Sequence, residues 1–338
     1  MADSTLSQLQ ADVAALAVPG GRPVGSAGHR RAQGYLVERI RSLGLQPVLG
    51  GSFELPYEGR SPAGRGVPFT NLAGRLPGRT PGLAPILLVA HYDTCGPTPG
   101  ADDNAAALAI LLAVVEPLRR AGLERDVWFA FPDAEEPPHC LGPDMGSTRL
   151  CTEQLPPGRE VWCGIVFDLC GHDVPVPGCA DLLVVAGVET SPVLARVVQD
   201  QGPAPAPGVR VVPTLTRYIG DRSDYHVLRT RQRPYLFLSC GEWAHYHGLG
   251  DTSEKLNYGK MAGIARYVAA LVRGLDGNGD AGADPGAGLA WGLDGFDTTA
   301  LELAFLKQAL GPLAAGVRDR EGIDALALRL RAAMYGCG

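Results

Sequence analysis

Apolar residues recur at helical spacing over residues 5–17 and 27–44, the second stretch closing on Gly44, and this predicts two opening helices. Short unbroken apolar runs follow at 86–90, 127–131, 161–167, 182–186 and 234–238. Runs of that length without polar alternation predict strands buried on both faces. Helical stretches at 104–120, 191–201 and 254–274 alternate with them. Such alternation predicts an α/β fold with a mixed, mainly parallel sheet covered by helices on both sides.

The pattern changes after Gly274. Residues 276–292 are dominated by Gly, Asp, Ala and Pro and are expected to be a linker. It separates a domain of residues 1–275 from a C-terminal helical extension of residues 293–338. In that extension, 297–311 and 321–334 read as two amphipathic helices. Leu301, Leu303, Phe305, Leu306 and Leu310 mark the apolar face of the first, and Leu326, Leu328 and Leu330 that of the second. Faces of this size need burial, against the preceding domain or across a homo-oligomer contact. The linker also holds two false motifs. Gly277 to Gly282 spell Gly-x-Gly-x-x-Gly but follow a helix, not the strand that a dinucleotide site requires. Asp276, Asn278 and Asp280 imitate a calcium loop, yet Ala281 and Ala287 occupy its Gly and Glu positions.

Composition narrows the class. The 45 Gly and 28 Pro imply many turns, while 46% hydrophobic residues suffice for a full core and exclude global disorder. A net charge of −6 without long single-sign runs argues against nucleic acid as a partner. The longest apolar run, residues 105–115, is too short for a membrane span. An N-terminus without a basic stretch or an apolar core leads us to expect a cytoplasmic protein. The eight cysteines form no Cys-x-x-Cys pair and are expected to be reduced, mostly core residues. There is no Gly-x-Ser-x-Gly elbow.

Chemistry collects directly after the expected strands, where open α/β sheets build their sites. His91-Tyr92-Asp93 follow the first, Asp133-Ala134-Glu135-Glu136 the second, Asp168 the third, and the fifth leads to His245-Tyr246-His247. Pro99-Gly100-Ala101-Asp102-Asp103-Asn104 enters the long buried helix. Singly, these are ordinary loop histidines, solvated acids and helix caps. Together they are the mixed nitrogen and oxygen donor set of zinc or a similar divalent ion. They are numerous enough for two ions about 3.5 Å apart.

These motifs, with Thr70-Asn71-Leu72-Ala73-Gly74, Ser223-Asp224 and Tyr246-His247-x-x-x-Asp251, resemble metallopeptidase family 28 over roughly residues 25–275. That family includes di-zinc leucyl-type aminopeptidases and, as divergent relatives, glutaminyl cyclases. The resemblance implies a three-layer, zinc aminopeptidase-like α/β/α fold and a peptide substrate cut at its N-terminus. It implies that Asp103 bridges two zinc ions, His91 and Asp168 holding one, Glu136 and His247 the other. Asp93 would orient His91, and Asp251 would do the same for His247. Glu135 would act as the general base toward a water on the metals. Tyr246 would stabilise the tetrahedral intermediate or pack beside it.

One departure favours the cyclases. A spacer of residues 137–145 separates the Glu pair from Gly146-Ser147, where the peptidases are shorter. A non-catalytic binding domain would be expected to have lost ligands, and here every position is filled. His139, His172, His226 and His245 match no metal position and are expected to be structural or substrate-facing. Cys95, Cys140 and Cys170 are expected at the cleft.

Overall fold

The computed structural model describes residues 2–60, 64–278 and 296–335. In chain order these form α1 (Ala2–Leu16), α2 (Ala27–Ser42), β1 (Gln46–Pro47), β2 (Glu54–Arg60), β3 (Gly66–Leu76) and β4 (Ile86–Val89). A kinked turn, Ala101–Ala106, then leads into α3 (Ala107–Ala121), followed by β5 (Val127–Phe131), α4 (Gly146–Arg149), β6 (Cys163–Phe167) and β7 (Leu182–Ala186). After these come α5 (Pro192–Gln201), β8 (Arg210–Thr214), α6 (Thr216–Ile219), α7 (Tyr225–Thr230), β9 (Tyr235–Ser239) and α8 (Tyr258–Asn278). The extension supplies α9 (Thr299–Leu310) and α10 (Arg320–Tyr335).

The nine strands form one sheet in the order β1-β3-β5-β4-β6-β9-β7-β8, with β2 paired to β3. The four central strands β5, β4, β6 and β9 are mutually parallel, so their carboxyl ends share one edge of the sheet. Antiparallel pairing occurs toward the flanks, at β1, β2 and β3 and between β7 and β9. All five expected strands are present within two residues of their predicted ends. Hydrophobic runs did not reveal β2, β3 or β8, which contain Pro56, Pro68 and Pro213. Two of the three, β2 and β8, sit at the ends of the sheet, where a missing backbone N–H costs least.

Successive side chains of the central strands serve opposite layers. Leu88, Phe129, Ile165 and Leu236 join the larger core with α1, α3, α5 and α8. Leu87, Trp128, Val166 and Phe237 face the smaller one with Leu150, Tyr225 and Leu228. The sheet is thus covered on both faces, as α/β/α layering requires.

The extension packs on the preceding domain. Helix α9 lies against β8, and Leu301, Phe305, Leu306 and Leu310 enter the larger core with Leu326 of α10. Leu328, expected on the apolar face of α10, instead points to solvent at 65% exposure. Glu302, which hydrophobic patterning could not mark, is fully buried between the Thr298 hydroxyl and Arg320 Nη2, each at 2.6 Å. Helix α8 runs three residues into the expected linker; the rest of that linker, 279–292, lies outside the described residues, as do the remainder of both false motifs and Cys337. Among the described residues no helix is long and apolar enough to cross a membrane.

Candidate metal centre

Parallel pairing of β5, β4, β6 and β9 brings four loops together at one sheet edge. The loop after β4 carries His91 and Asp93, that after β5 Glu135 and Glu136, that after β6 Asp168, and that after β9 Tyr246 and His247. Asp103 arrives from the kinked turn ahead of α3, where its own backbone leaves helical geometry (φ −109°, ψ 84°). Gly100 begins that turn at φ 66°, and a Cβ there would stand 2.4 Å from Thr94 Cγ2 and 2.5 Å from Asp103 O. Only glycine fits.

Asp103 faces two ways. Its Oδ1 lies 3.4 Å from His91 Nε2, and its Oδ2 lies 3.2 Å from His247 Nε2. Asp168 Oδ1 is 3.7 Å from His91 Nε2, and Glu136 Oε2 is 3.1 Å from His247 Nε2. Glu135 Oε2 stands 3.8 Å from His91 Nε2. All six side chains are buried or nearly so, His247 being the most open.

The supports are polar and deeply buried. Asp93 Oδ1 lies 3.4 Å from His91 Nδ1 without making a hydrogen bond to it, and the same carboxylate accepts from the backbone N–H of Glu135 and Glu136, each at 3.1 Å. Asp251 does not reach His247, contrary to expectation. It accepts from the N–H groups of Asp102 and Asp103, at 2.8 and 3.1 Å, and so fixes the turn that carries Asp103. Asp102 in turn receives the N–H groups of Gly171 and His172 and lies 2.6 Å from His172 Nδ1. Stacked on Trp243, His172 is structural. Asn71 clamps the loop after β5 by accepting from Asp133 N at 2.9 Å and donating to Gly146 O at 2.8 Å.

Two buried residues here carried no pattern in the sequence. Arg22, in the loop between α1 and α2, is fully buried and donates to the carbonyls of Tyr92, Pro99, Gly100 and Asp103. Burial lowers its pKa to about 10. His29 Nε2 lies 2.8 Å from Asp133 Oδ1 and its ring stacks on Tyr92. Neither has a local motif; only the fold brings them to the site.

The electrostatics call for positive charge. Burial, and after it the charge of Asp103, pushes Glu136 up to about 8. Burial likewise lifts Glu135 well above the carboxylate range, with Asp168 and Asp224 adding to the effect against the pull of His91. Burial works against a charged His247, but Asp103 and Glu136 outweigh it and raise its pKa to about 10. Crowded acids that resist ionisation beside imidazoles that resist neutrality are what a cation would relieve. Both His91 ring nitrogens, Glu136 Oε1 and Asp168 Oδ1 are buried without a hydrogen-bond partner. Donor atoms about 2.1 Å from one tetrahedral zinc lie about 3.4 Å from each other, which is the spacing found around Asp103. The residues present fit a divalent metal, and the donor atoms of His91, Asp103 and Asp168 lie within 4.8 Å of one another.

The other expected residues divide. Tyr246 stacks on His247 with ring centroids 3.8 Å apart. Cys95 lies with Glu136 and His247 within 4.8 Å, and Cys140 Sγ is 3.9 Å from Glu135 Oε1, so both are at the cleft. Cys170 is not; it is fully buried with its thiol on the Leu238 carbonyl. His139 packs edge-on to Phe69, His245 edge-on to Trp243, and His226 lies 2.9 Å from Asp221.

A mixed α/β sheet with acidic and imidazole side chains gathered at its parallel strand ends is a metallohydrolase architecture, and comparison with known proteins agrees. Residues 71–272 match the model of Peptidase family M28, and the chain belongs to that zinc-dependent family. An uncharacterized Escherichia coli (strain K12) protein, YfbL, is 26% identical over 243 residues, 61% of this chain and 71% of its own. Among solved structures, a Zn-dependent exopeptidase from Parabacteroides distasonis is similar with a TM-score of 0.60 and 17% identity, over 80% of this chain and 97% of that one. A glutaminyl cyclase from Porphyromonas gingivalis is similar with a TM-score of 0.59 and 19% identity, over 81% and 98%. At these identities the two structures establish the fold.

Proposed function

We propose that this chain is a zinc-dependent aminopeptidase that removes N-terminal residues from peptides. The observation that carries this reading is Asp103, whose two oxygens face two separate donor sets. His91 and Asp168 would hold one ion, Glu136 and His247 the other, with Asp103 shared. Bound zinc would supply Lewis acidity and lower the pKa of water. Glu135, adjacent to a ligand but facing His91 rather than His247, would take up the proton and pass it to the departing amine. Asp93 would keep the His91 ring in place, and Tyr246 would stand beside the reacting carbonyl.

A second reading, glutaminyl cyclase, is favoured by the long loop after Glu136 and by the fold likeness. Intramolecular cyclisation would need one ion, and the paired donor sets therefore favour hydrolysis. Residues 1–275 would be the catalytic domain, joined to the extension through 276–292. A reducing, cytoplasmic setting suits cysteines that form no disulfide among the described residues. The test is a panel of fluorogenic aminoacyl amides with and without chelator. Release of amino acid that stops on chelation and returns with zinc is expected; turnover unaffected by metal removal would refute the assignment.

A further inference from the structure

A cavity of about 130 Å³ opens beside the metal centre, and its walls come from different parts of the chain. Asp168 and Tyr246 border it on one side; Leu306, Ile323, Leu326 and Leu330 border it on another. The last four belong to α9 and α10. The family match ends at residue 272, so this wall lies outside the segment that makes the chain a member of its family.

The extension is docked in a defined position. Leu306, Ile323 and Leu326 are buried. Asp324 of α10 accepts from Arg217 Nη2 at 2.8 Å and from the Tyr218 hydroxyl, both on α6, while Arg210 on β8 donates to the Ala309 carbonyl of α9. Apart from Asp168 at the metal centre, charged side chains at the cavity are matched within the protein: Arg222 Nη1 meets Glu242 Oε1 at 2.6 Å, and Glu302 is held by Arg320. A charged substrate group placed against the leucine wall would lose hydration without gaining a partner. An apolar one would gain burial.

We propose that α9 and α10 form the outer wall of the pocket that receives the substrate's N-terminal side chain, so that the extension sets the accepted size and polarity. The proposal rests on the peptidase reading of the metal centre. It makes the wall's side chains specificity determinants, with Ala327 a small residue among the leucines at the same cavity. Lengthening Ala327 shrinks the space, and shortening Leu330 enlarges it.

The experiment measures kcat/KM of the zinc-loaded full chain for Ala, Leu, Phe and Lys 4-nitroanilides, comparing the unaltered protein with Ala327→Leu and Leu330→Ala. Zinc content and melting temperature are recorded for each. The unaltered protein should favour Leu or Phe over Lys. Ala327→Leu should lower the Phe-to-Ala ratio by about 10-fold or more, and Leu330→Ala should raise it. A purely structural role would move all substrates together. Should Ala327→Leu fail to fold, the half-buried Leu330 still carries the test. Ratios within about two-fold of the unaltered protein, or a preference for Lys, would overturn the proposal while leaving the peptidase reading intact. Absence of all hydrolysis by the zinc-loaded, unaltered chain would overturn both.

Discussion

Asp251 holds Asp103 through the backbone, accepting its N–H at 3.1 Å across 148 residues of sequence, while its second oxygen takes the N–H of Asp102 at 2.8 Å. The turn that presents the Asp103 carboxylate is thereby fixed through its backbone. Replacing Asp251 with Ala leaves two buried N–H groups unpaired and frees the turn. Zinc affinity should fall about 10- to 100-fold, as for other residues that orient metal ligands. Asn, which keeps one acceptor oxygen, should recover part of the loss. Metal titration monitored by a competing chromophoric chelator measures both.

Glu135 and Glu136 are neighbours with different surroundings, and their conservative variants should separate. Glu135→Gln keeps shape but removes a proton acceptor, so turnover should drop about 10²-fold or more with zinc content retained. Glu136→Gln should lose metal, because the carboxylate faces His247 at 3.1 Å. Elemental analysis beside kinetics distinguishes them, and the reverse pattern would exchange their assignments.

The metal-free protein should be acid-preferring. Burial raises Asp224 and Asp251 to about 7, and Glu136 to about 8, from ordinary values near 4. A carboxyl group with a raised folded pKa is easier to keep protonated when folded, so its favourable contribution is complete below the unfolded value and vanishes as pH rises through the folded one. His247, raised to about 10 mainly by Asp103 and Glu136 against burial, has the same sign: its contribution is full below about 6.5 and is lost toward 10. Melting temperature without metal should therefore fall as pH rises from 5 to 9, by roughly 5 °C or more. Saturating zinc should remove most of that slope. A metal-free protein that gains stability over this range would contradict the account.

Which parts of this site could be read from sequence follows from how each residue is presented. His91, Glu136 and Asp168 come within a few residues of short apolar runs, so recognising the strands was enough to line them up. Asp103 and His247 needed the linked motifs, since neither follows a strand immediately. Arg22 and His29 were invisible because the partners that tie them to the site, such as Tyr92 and Asp133, are 70 or more residues away and supplied by folding. The sharp turns were also hidden: Ala134, Leu169 and His247 adopt positive φ values of 53°, 55° and 54°, where sequence offers no glycine to mark the bend. Such backbone is costly for these residues and is held by the surrounding hydrogen bonds. For Asp251 the motif was right and the role was not, because side-chain direction depends on the turn and not on its spacing from His247.

Glu302 tests whether the extension is part of the cooperative unit. It is fully buried and accepts from both terminal guanidinium nitrogens of Arg320. Glu302→Ala removes the buried carboxylate that Arg320 and the Thr298 hydroxyl share, while Arg320 keeps the Thr299 and Tyr218 hydroxyls, and should cost about 2 kcal/mol. One urea transition, shifted to lower denaturant and followed alike by tryptophan fluorescence and circular dichroism, is expected. A separate early transition that leaves the main one unmoved would show the extension folding alone.

The most direct measurement is mass spectrometry of peptides incubated with the zinc-loaded protein, including one that begins with Gln. The account predicts products shortened by one residue from the N-terminus, with an apolar first residue removed fastest and the Gln peptide cut or left unchanged. A Gln peptide that loses ammonia with its chain intact, while no peptide in the set is shortened, would contradict hydrolysis and establish cyclisation at this centre.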